Sequence, residues 1–209
     1  MAGYVSDAVI RRLPGYYRHL KELEREGVTQ ISSQGLGERM CLTASQIRQD
    51  INCFGGFGRQ GFGYAVPELR ERIGQILGVD QPHRMIILGA GNIGNAVCCS
   101  DSFPANGFET VAIFDSNPAK IGTRVDALTV QDIASLERFI GENPVDIAVI
   151  AVPCEAAQQL TEQLYSCGIR GFWNFAPCDL KLGRDAAVVN VHLDEGLQVL
   201  SFRMLHRQE

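Results

Sequence analysis

The chain has 209 residues, 45% of them hydrophobic and 21% charged, enough to bury a sizeable core in one large domain or two small ones. The net charge of −5 weighs against a generally basic nucleic-acid binder, yet residues 1–66 hold 8 Arg and Lys against 6 Asp and Glu, and the remainder 11 against 18. No run approaches the roughly 18–20 apolar residues of a membrane span. The opening MAGYVSDAVIRR lacks the apolar run of a signal peptide. Seven cysteines without a CxxC pair indicate neither a disulfide framework nor a metal site. A cytoplasmic location is implied.

In chain order, Ile10, Leu13, Tyr17 and Leu20 form a helical stripe. A kink or restart is expected at Pro14, and Gly27 ends the helix. A short serine-capped helix is predicted from about Ser33 to Met40. Thr43-Ala44-Ser45-Gln46 reads as a capping box, Thr43 and Gln46 each satisfying the other's free amide. The helix it opens runs to about Phe54, with Ile47 and Ile51 inward and Arg48, Gln49 and Asn52 outward. Two short helices joined by a tight turn are the helix-turn-helix pattern. GGFGRQGFG over 55–63 has five glycines in nine positions, which suits a hairpin with Arg59 at its tip, and so a winged helix. Pro67 takes the first position of a helix over 67–77. The pattern breaks near 78–83, which predicts a DNA-binding domain over 1–80, a second domain over 81–191 and a last helix within 192–209.

The second part alternates strands and helices. Strand 84–88 runs into Gly89-Ala90-Gly91-Asn92-Ile93-Gly94 and a helix, and strand 111–114 ends in Asp115. A helix is predicted over 129–141, starting at Thr129. Val145–Val152 is the strongest buried-strand signal. Helix 154–167 closes at Gly168, and strands follow at 170–173 and near 188–191 before a last amphipathic helix. Such alternation predicts an α/β fold with a doubly wound parallel (Rossmann) sheet.

The glycines fit a dinucleotide site. Gly89 permits the tight turn, Gly91 lets backbone approach a pyrophosphate, and Gly94 lets helix pack on strand. Ala90, Asn92 and Ile93 complete the loop and helix start, where free amides favour phosphate. Asp115 stands where an acid hydrogen-bonds ribose hydroxyls and repels a 2′-phosphate, which favours NAD+ and NADH. Val152 and Pro153 end the buried strand where such sheets bind ligands, although Pro153 also suits a helix start. Asn174-Phe175-Ala176-Pro177 either faces the same crevice or is a turn before a proline. An oxidoreductase also needs an acid–base group. His19, His83 and His206 are poorly placed for that, and only His192 could approach the crevice. Cys98 and Cys99 fall in the glycine-loop helix, while Cys154 and Cys178 fall in strand-end loops. Of these Cys154 is the best candidate for a reactive thiolate, with an inert buried thiol as the alternative. No catalytic residue and no metal cluster emerges.

RRLPGYYRHL, ISSQGLGE, TASQIRQDI, GGFGRQGFGY, LGAGNIG, VPCEAAQQL, GFWNFAP and LQVLSF, in this order, resemble the Rex family of NADH-sensing bacterial transcriptional repressors. The resemblance implies a homodimer whose last helix is exchanged between subunits. It also implies binding to double-stranded operator DNA when NADH is low and release when NADH binds. Ser45, Gln46, Arg48 and Gln49 would lie in the major groove, Ser33 and Thr43 beside them, and Arg59 in the minor groove. Gly89, Gly91, Gly94 and Asp115 would hold NAD(H), with Val152, Pro153 and Asn174 to Pro177 completing the pocket. The family's redox-dependent contact joins a first-helix arginine, here Arg18, to an aspartate that is here His192. Its usual nicotinamide tyrosine is replaced around Ser100, and its Arg-Lys-Asp-Leu-Ser is here Arg48-Gln49-Asp50-Ile51-Asn52. The lost cation predicts weaker and less salt-dependent DNA binding, and the loss of the tyrosine and aspartate together predicts an altered or weak response to NADH versus NAD+. The competing readings are an NAD-dependent oxidoreductase with a helical appendage and a nucleotide- or CoA-binding module without DNA affinity.

Overall fold

The computed structural model describes residues 5–55 and 63–206, and divides into two compact units, Met1–Gln81 and Pro82–Glu209. The first contains α1 (Asp7–Arg25), β1 (Gln30–Ile31), α2 (Ser33–Met40), α3 (Ala44–Asn52), β2 (Tyr64–Ala65) and α4 (Val66–Leu77). Its core gathers Leu13, Tyr16, Leu20, Leu36, Ile47 and Leu69, among others. α1 is one helix through Pro14, so the expected restart does not occur. The missing N–H falls on an exposed turn, where water can take the orphaned carbonyl of Ile10. α2 is capped by Ser32, whose Oγ accepts from Gly35 N–H at 3.0 Å, and it ends with Cys41 in the left-handed region, φ 53°. A Cβ on Gly37 would lie 2.5 Å from the Leu42 carbonyl oxygen, so the turn between α2 and α3 closes this tightly only over glycine. Helix α4 begins one residue before Pro67. Gln30–Ile31 pairs antiparallel with Tyr64–Ala65. The predicted glycine hairpin with Arg59 lies largely outside the described residues.

The second unit runs β3 (His83–Leu88), α5 (Asn92–Cys98), β4 (Phe108–Asp115), β5 (Arg124–Val125), β6 (Leu128–Asp132), α6 (Leu136–Glu142), β7 (Ile147–Ile150), α7 (Cys154–Ser166), β8 (Gly171–Asn174), β9 (Ala187–Asn190) and α8 (Leu193–Leu205). Its seven-stranded sheet has the order β5-β6-β4-β3-β7-β8-β9, parallel except for the β5–β6 pair. Alternate side chains feed two cores: Ile86, Leu88, Phe114 and Ile150 on one side, and Met85, Ile87, Ile113 and Val149 on the other. The chain winds outward from β3 to β6, then returns to add β7 on the other side of β3. This strand order is that of the dinucleotide-binding fold, with its crevice where the winding reverses.

One expectation fails here. Thr129 does not start a helix, because Arg124–Val125 and Leu128–Asp132 make a hairpin and Val130 pairs with Ile113 on β4. The α-helix begins only at Leu136, after a short 3-10 turn at Ile133–Ser135. The last helix forms where expected and is left uncovered by its own unit. Every residue of α8 is exposed, with Leu193, Leu197, Leu200, Phe202 and Leu205 each more than half accessible.

Candidate functional site

A cleft of about 620 Å³ opens at the reversal point, lined by Gly89, Gly91, Asp115, Lys120, Val152 and Pro153 among others. Strand β3 delivers the glycine turn to its carboxyl edge. Gly89 has φ +101°, and a Cβ there would lie 2.3 Å from the Ala151 carbonyl oxygen. A Cβ on Gly94 would lie 1.9 Å from the Gly89 carbonyl oxygen, so both glycines are required by backbone packing. At Gly91 a Cβ would meet nothing within 4 Å. Its bare backbone lines the cleft, and the vacant side is room a phosphate could use. Asn92 is exposed at the start of α5, and Ile93 packs on the sheet beneath it.

Asp115 ends β4 and is 9% exposed. Its Oδ2 accepts from Ala90 N–H at 2.8 Å and from Lys120 Nζ at 3.1 Å, and its Oδ1 accepts from Asn117 N–H at 2.8 Å. Burial opposes its charge, but the bonds from Asn117, Lys120 and Ala90 outweigh burial and hold the carboxyl below its ordinary value. A carboxylate offers about four lone-pair sites, so acceptor capacity remains for a hydroxyl. Lys120 escaped the sequence reading. The turn that returns it to Asp115 is set by Asn117, whose side chain accepts from Ala119 N–H at 3.0 Å. With this cation beside it, the carboxylate alone does not account for rejection of a 2′-phosphate.

None of residues 174–177 lines this cleft. Asn174 is fully buried. It donates to the Cys178 carbonyl at 2.7 Å and to Asn190 Oδ1 at 2.9 Å, and it accepts from Ala176 N–H at 3.0 Å. Phe175 N–H donates to the Ile150 carbonyl at 2.8 Å, and its ring meets Trp173 edge-on at 4.6 Å. Ala176 is buried and Pro177 exposed. The loop is thus stapled to the same sheet edge that carries Val152. Ser100 lies just beyond α5, its Oγ 2.8 Å from Ser102 Oγ. His192 precedes α8, its Nε2 3.1 Å from Asp179 Oδ1. Among the described residues no group of His, Cys, Asp and Glu could hold a metal.

In the first unit, Ser45, Arg48, Gln49 and Asn52 are exposed along α3, while Ile47 and Ile51 are buried. Half of the expected capping box forms: Thr43 Oγ1 accepts from Gln46 N–H at 3.1 Å. The Gln46 side chain does not reach back to Thr43. Its Nε2 donates instead to Asp50 Oδ1 at 2.7 Å, because Asp50 is 1% exposed and needs donors. Arg12 supplies two more, Nε to Oδ2 at 2.7 Å and Nη2 to Oδ1 at 2.8 Å, and Tyr16 OH donates to Oδ2 at 2.9 Å. Burial works against the Asp50 charge, yet Arg12, Gln46 and Tyr16 together hold its carboxyl below the ordinary value. The Tyr16 hydroxyl is raised, first by burial and then by its bond to Asp50. The network pins α3 to α1, and its outward face is what remains for a ligand. Ser33 is the first residue of α2, half-buried, and Arg18 is exposed on α1.

The fold and cleft define a class: a helix-turn-helix unit followed by a dinucleotide-type sheet with an open cleft at its reversal point. A family model described as "Putative DNA-binding protein N-terminus" matches residues 4–52, and one described as "CoA binding domain" matches residues 80–178. The chain is 48% identical over 204 residues to a redox-sensing transcriptional repressor Rex of Clostridium botulinum (strain Eklund 17B / Type B), covering 98% of this chain and 97% of that one. It is 47% identical to the repressor of the same name from Thermoanaerobacter sp. (strain X514), over 96% of this chain and 89% of the other. The solved structure of RSP in complex with beta-NAD+ and operator DNA superposes with a TM-score of 0.91 at 46% identity, covering 97% of this chain and 93% of that one. RSP in complex with beta-NADH gives 0.88 at 44%, covering 97% and 95%. This chain belongs to the Rex family of redox-sensing transcriptional repressors.

Proposed function

We propose that the protein is a transcriptional repressor that grips operator DNA through α3, binds NAD+ or NADH in the cleft, and leaves the operator when NADH occupies it. One observation carries the reading: likeness over nearly the whole chain to RSP, solved with operator DNA and NAD+ and also with NADH. The cleft supports it on its own geometry, with bare backbone at Gly91 and a charged Asp115 at the end of β4, where the reading expects a ribose. The oxidoreductase alternative is set aside because the relatives matched end to end are repressors. A dinucleotide-type sheet alone does not decide function. The full-length likeness likewise outweighs a CoA-binding reading.

Bound NADH would supply only binding energy that differs between two dimer states; the chain's residues do the positioning. Ala90 and Asn117 aim the Asp115 carboxylate, and Gly91 leaves space for phosphate beside the amides of the α5 start. The unpartnered α8 supports a homodimer in which a second copy covers it, since so much exposed apolar surface marks an interface. We place the protein in the cytoplasm, with its DNA target; no described helix is long and apolar enough to cross a membrane. The test is a gel-shift titration of a labelled palindromic operator with NAD+, NADH, NADP+ and NADPH. NADH is expected to release wild type, and Asp115→Ala is expected to lose every nucleotide response. An unchanged response in that variant overturns the site.

A further inference from the structure

Two cysteines for which the dinucleotide reading has no use lie side by side at the carboxyl edge of the sheet. Cys154 opens α7, and Cys178 sits in the loop after β8. Although 24 residues apart, Cys178 Sγ donates to the Cys154 carbonyl oxygen at 3.9 Å. Both are half-buried, whereas Cys41, Cys53, Cys99 and Cys167 are exposed. The pair is held in register from both sides. Asn174 Nδ2 donates to the Cys178 carbonyl at 2.7 Å, and Gln158 of α7 exchanges two hydrogen bonds with the Lys181 backbone at 2.8 and 3.0 Å. The Cys178 thiol is pushed up to about 11, first by its hydrogen bond to Cys154 and then by burial. It therefore stays protonated at neutral pH, which suits it to be the second sulfur to act.

We propose that Cys154 and Cys178 form an oxidisable dithiol that a hydroperoxide closes to an intramolecular disulfide. The Cys154 thiolate attacks one oxygen of hydrogen peroxide, the O–O bond breaks, and the departing hydroxide takes a proton to become water. Cys154 is then a sulfenic acid. The Cys178 sulfur attacks the Cys154 sulfur, the S–O bond breaks, and the Cys178 proton leaves with that hydroxide as a second water. The two thiols lose two electrons and the peroxide gains them. The new bond ties the start of α7, next to Val152 and Pro153 in the cleft wall, to the loop that opens at Asn174.

The test uses full-length, fully reduced Cys167→Ser protein, because Arg138 and Arg170 leave Cys154 and Cys167 on one tryptic peptide while Cys178 falls on 171–181. After brief hydrogen peroxide treatment and alkylation, peptide 139–170 is expected joined to 171–181, lighter by two hydrogens and separated by dithiothreitol. Alkylation of Cys154 and Cys178 should fall together in wild type, a readout that requires no variant to fold. Cys154→Ser and Cys178→Ser should each lose the joined peptide, and Cys99→Ser should keep it. Continued alkylation of both thiols, or pairing of either with another cysteine, overturns the proposal. The readout needs neither DNA nor dinucleotide, so it stands or falls apart from the repressor reading.

Discussion

Replacing Asp50 by alanine removes at one stroke the acceptor of four hydrogen bonds, two from Arg12 and one each from Tyr16 and Gln46. Breaking a buried ion pair by deleting one partner costs about 3–5 kcal/mol. The Arg12 side chain is 29% exposed, so water takes up part of the stranded charge, and the loss expected is about 2–4 kcal/mol. A unit of the size of Met1–Gln81 holds on the order of 4–12 kcal/mol in all. Its melting transition should therefore fall by about 8–30 °C, at about 4–8 °C per kcal/mol. Calorimetry of the full chain reads this directly, and operator affinity should fall with it because α3 loses its anchor to α1. A cycle with Arg12→Ala should show coupling of at least about 1 kcal/mol. The charge also sets an acid limit. Asp50 is held below its ordinary value in the folded state, so the unfolded chain binds the proton first. The stability it contributes is complete above the ordinary carboxylate range and is lost as pH falls through the lower folded value. A cost below about 1 kcal/mol, with operator binding unchanged, would refute the view that this network positions the helix.

Gly91→Ala and Gly94→Ala should behave differently. The first meets open space and should leave folding intact while weakening dinucleotide binding about tenfold or more, about 1.4 kcal/mol by calorimetric titration. The second drives a Cβ into the Gly89 carbonyl and should lower the melting point of the second unit even without ligand. Leu197→Asp together with Leu200→Asp should leave that unit folded, since neither side chain is buried within it, yet shift the protein to monomer by sedimentation velocity. His192→Asp restores the acid usual in the family and should widen the ratio of NAD+ to NADH needed for operator release; an unchanged ratio removes that position from redox discrimination.

Much of the second unit was legible because buried parallel strands announce themselves as unbroken apolar runs. Strand β3, the glycine turn and Asp115 follow one another with the spacing the fold requires. The stretch from Leu128 to Phe139 misled because Val130, Ile133, Leu136 and Phe139 also satisfy helical spacing. Pairing of Val130 with Ile113, from a strand read separately, decides the matter. Long-range polar pairing was equally hidden. Nothing local joins Arg12 to Asp50, 38 residues away, although a charged residue between Ile47 and Ile51 on an inward face was a signal that some cation had to meet it. Lys120 was missed for the same reason: its partner is set by a turn. Asn174 was legible as important, but the structure uses it as a staple for its own loop.

The two edges of the sheet are unequal. On one side the parallel strands are closed off by β5, two residues long and antiparallel, too short to template a further strand. On the other, β9 presents a four-residue edge with Val189 59% exposed, and the chain passes directly into uncovered α8. In the homodimer proposed above, this open flank of each copy would meet the same flank of the other. Such a pairing would close at two, leaving no free adhesive edge from which a filament could grow. The proposed pair would then be concentration-dependent, so that dilution itself would disarm the protein.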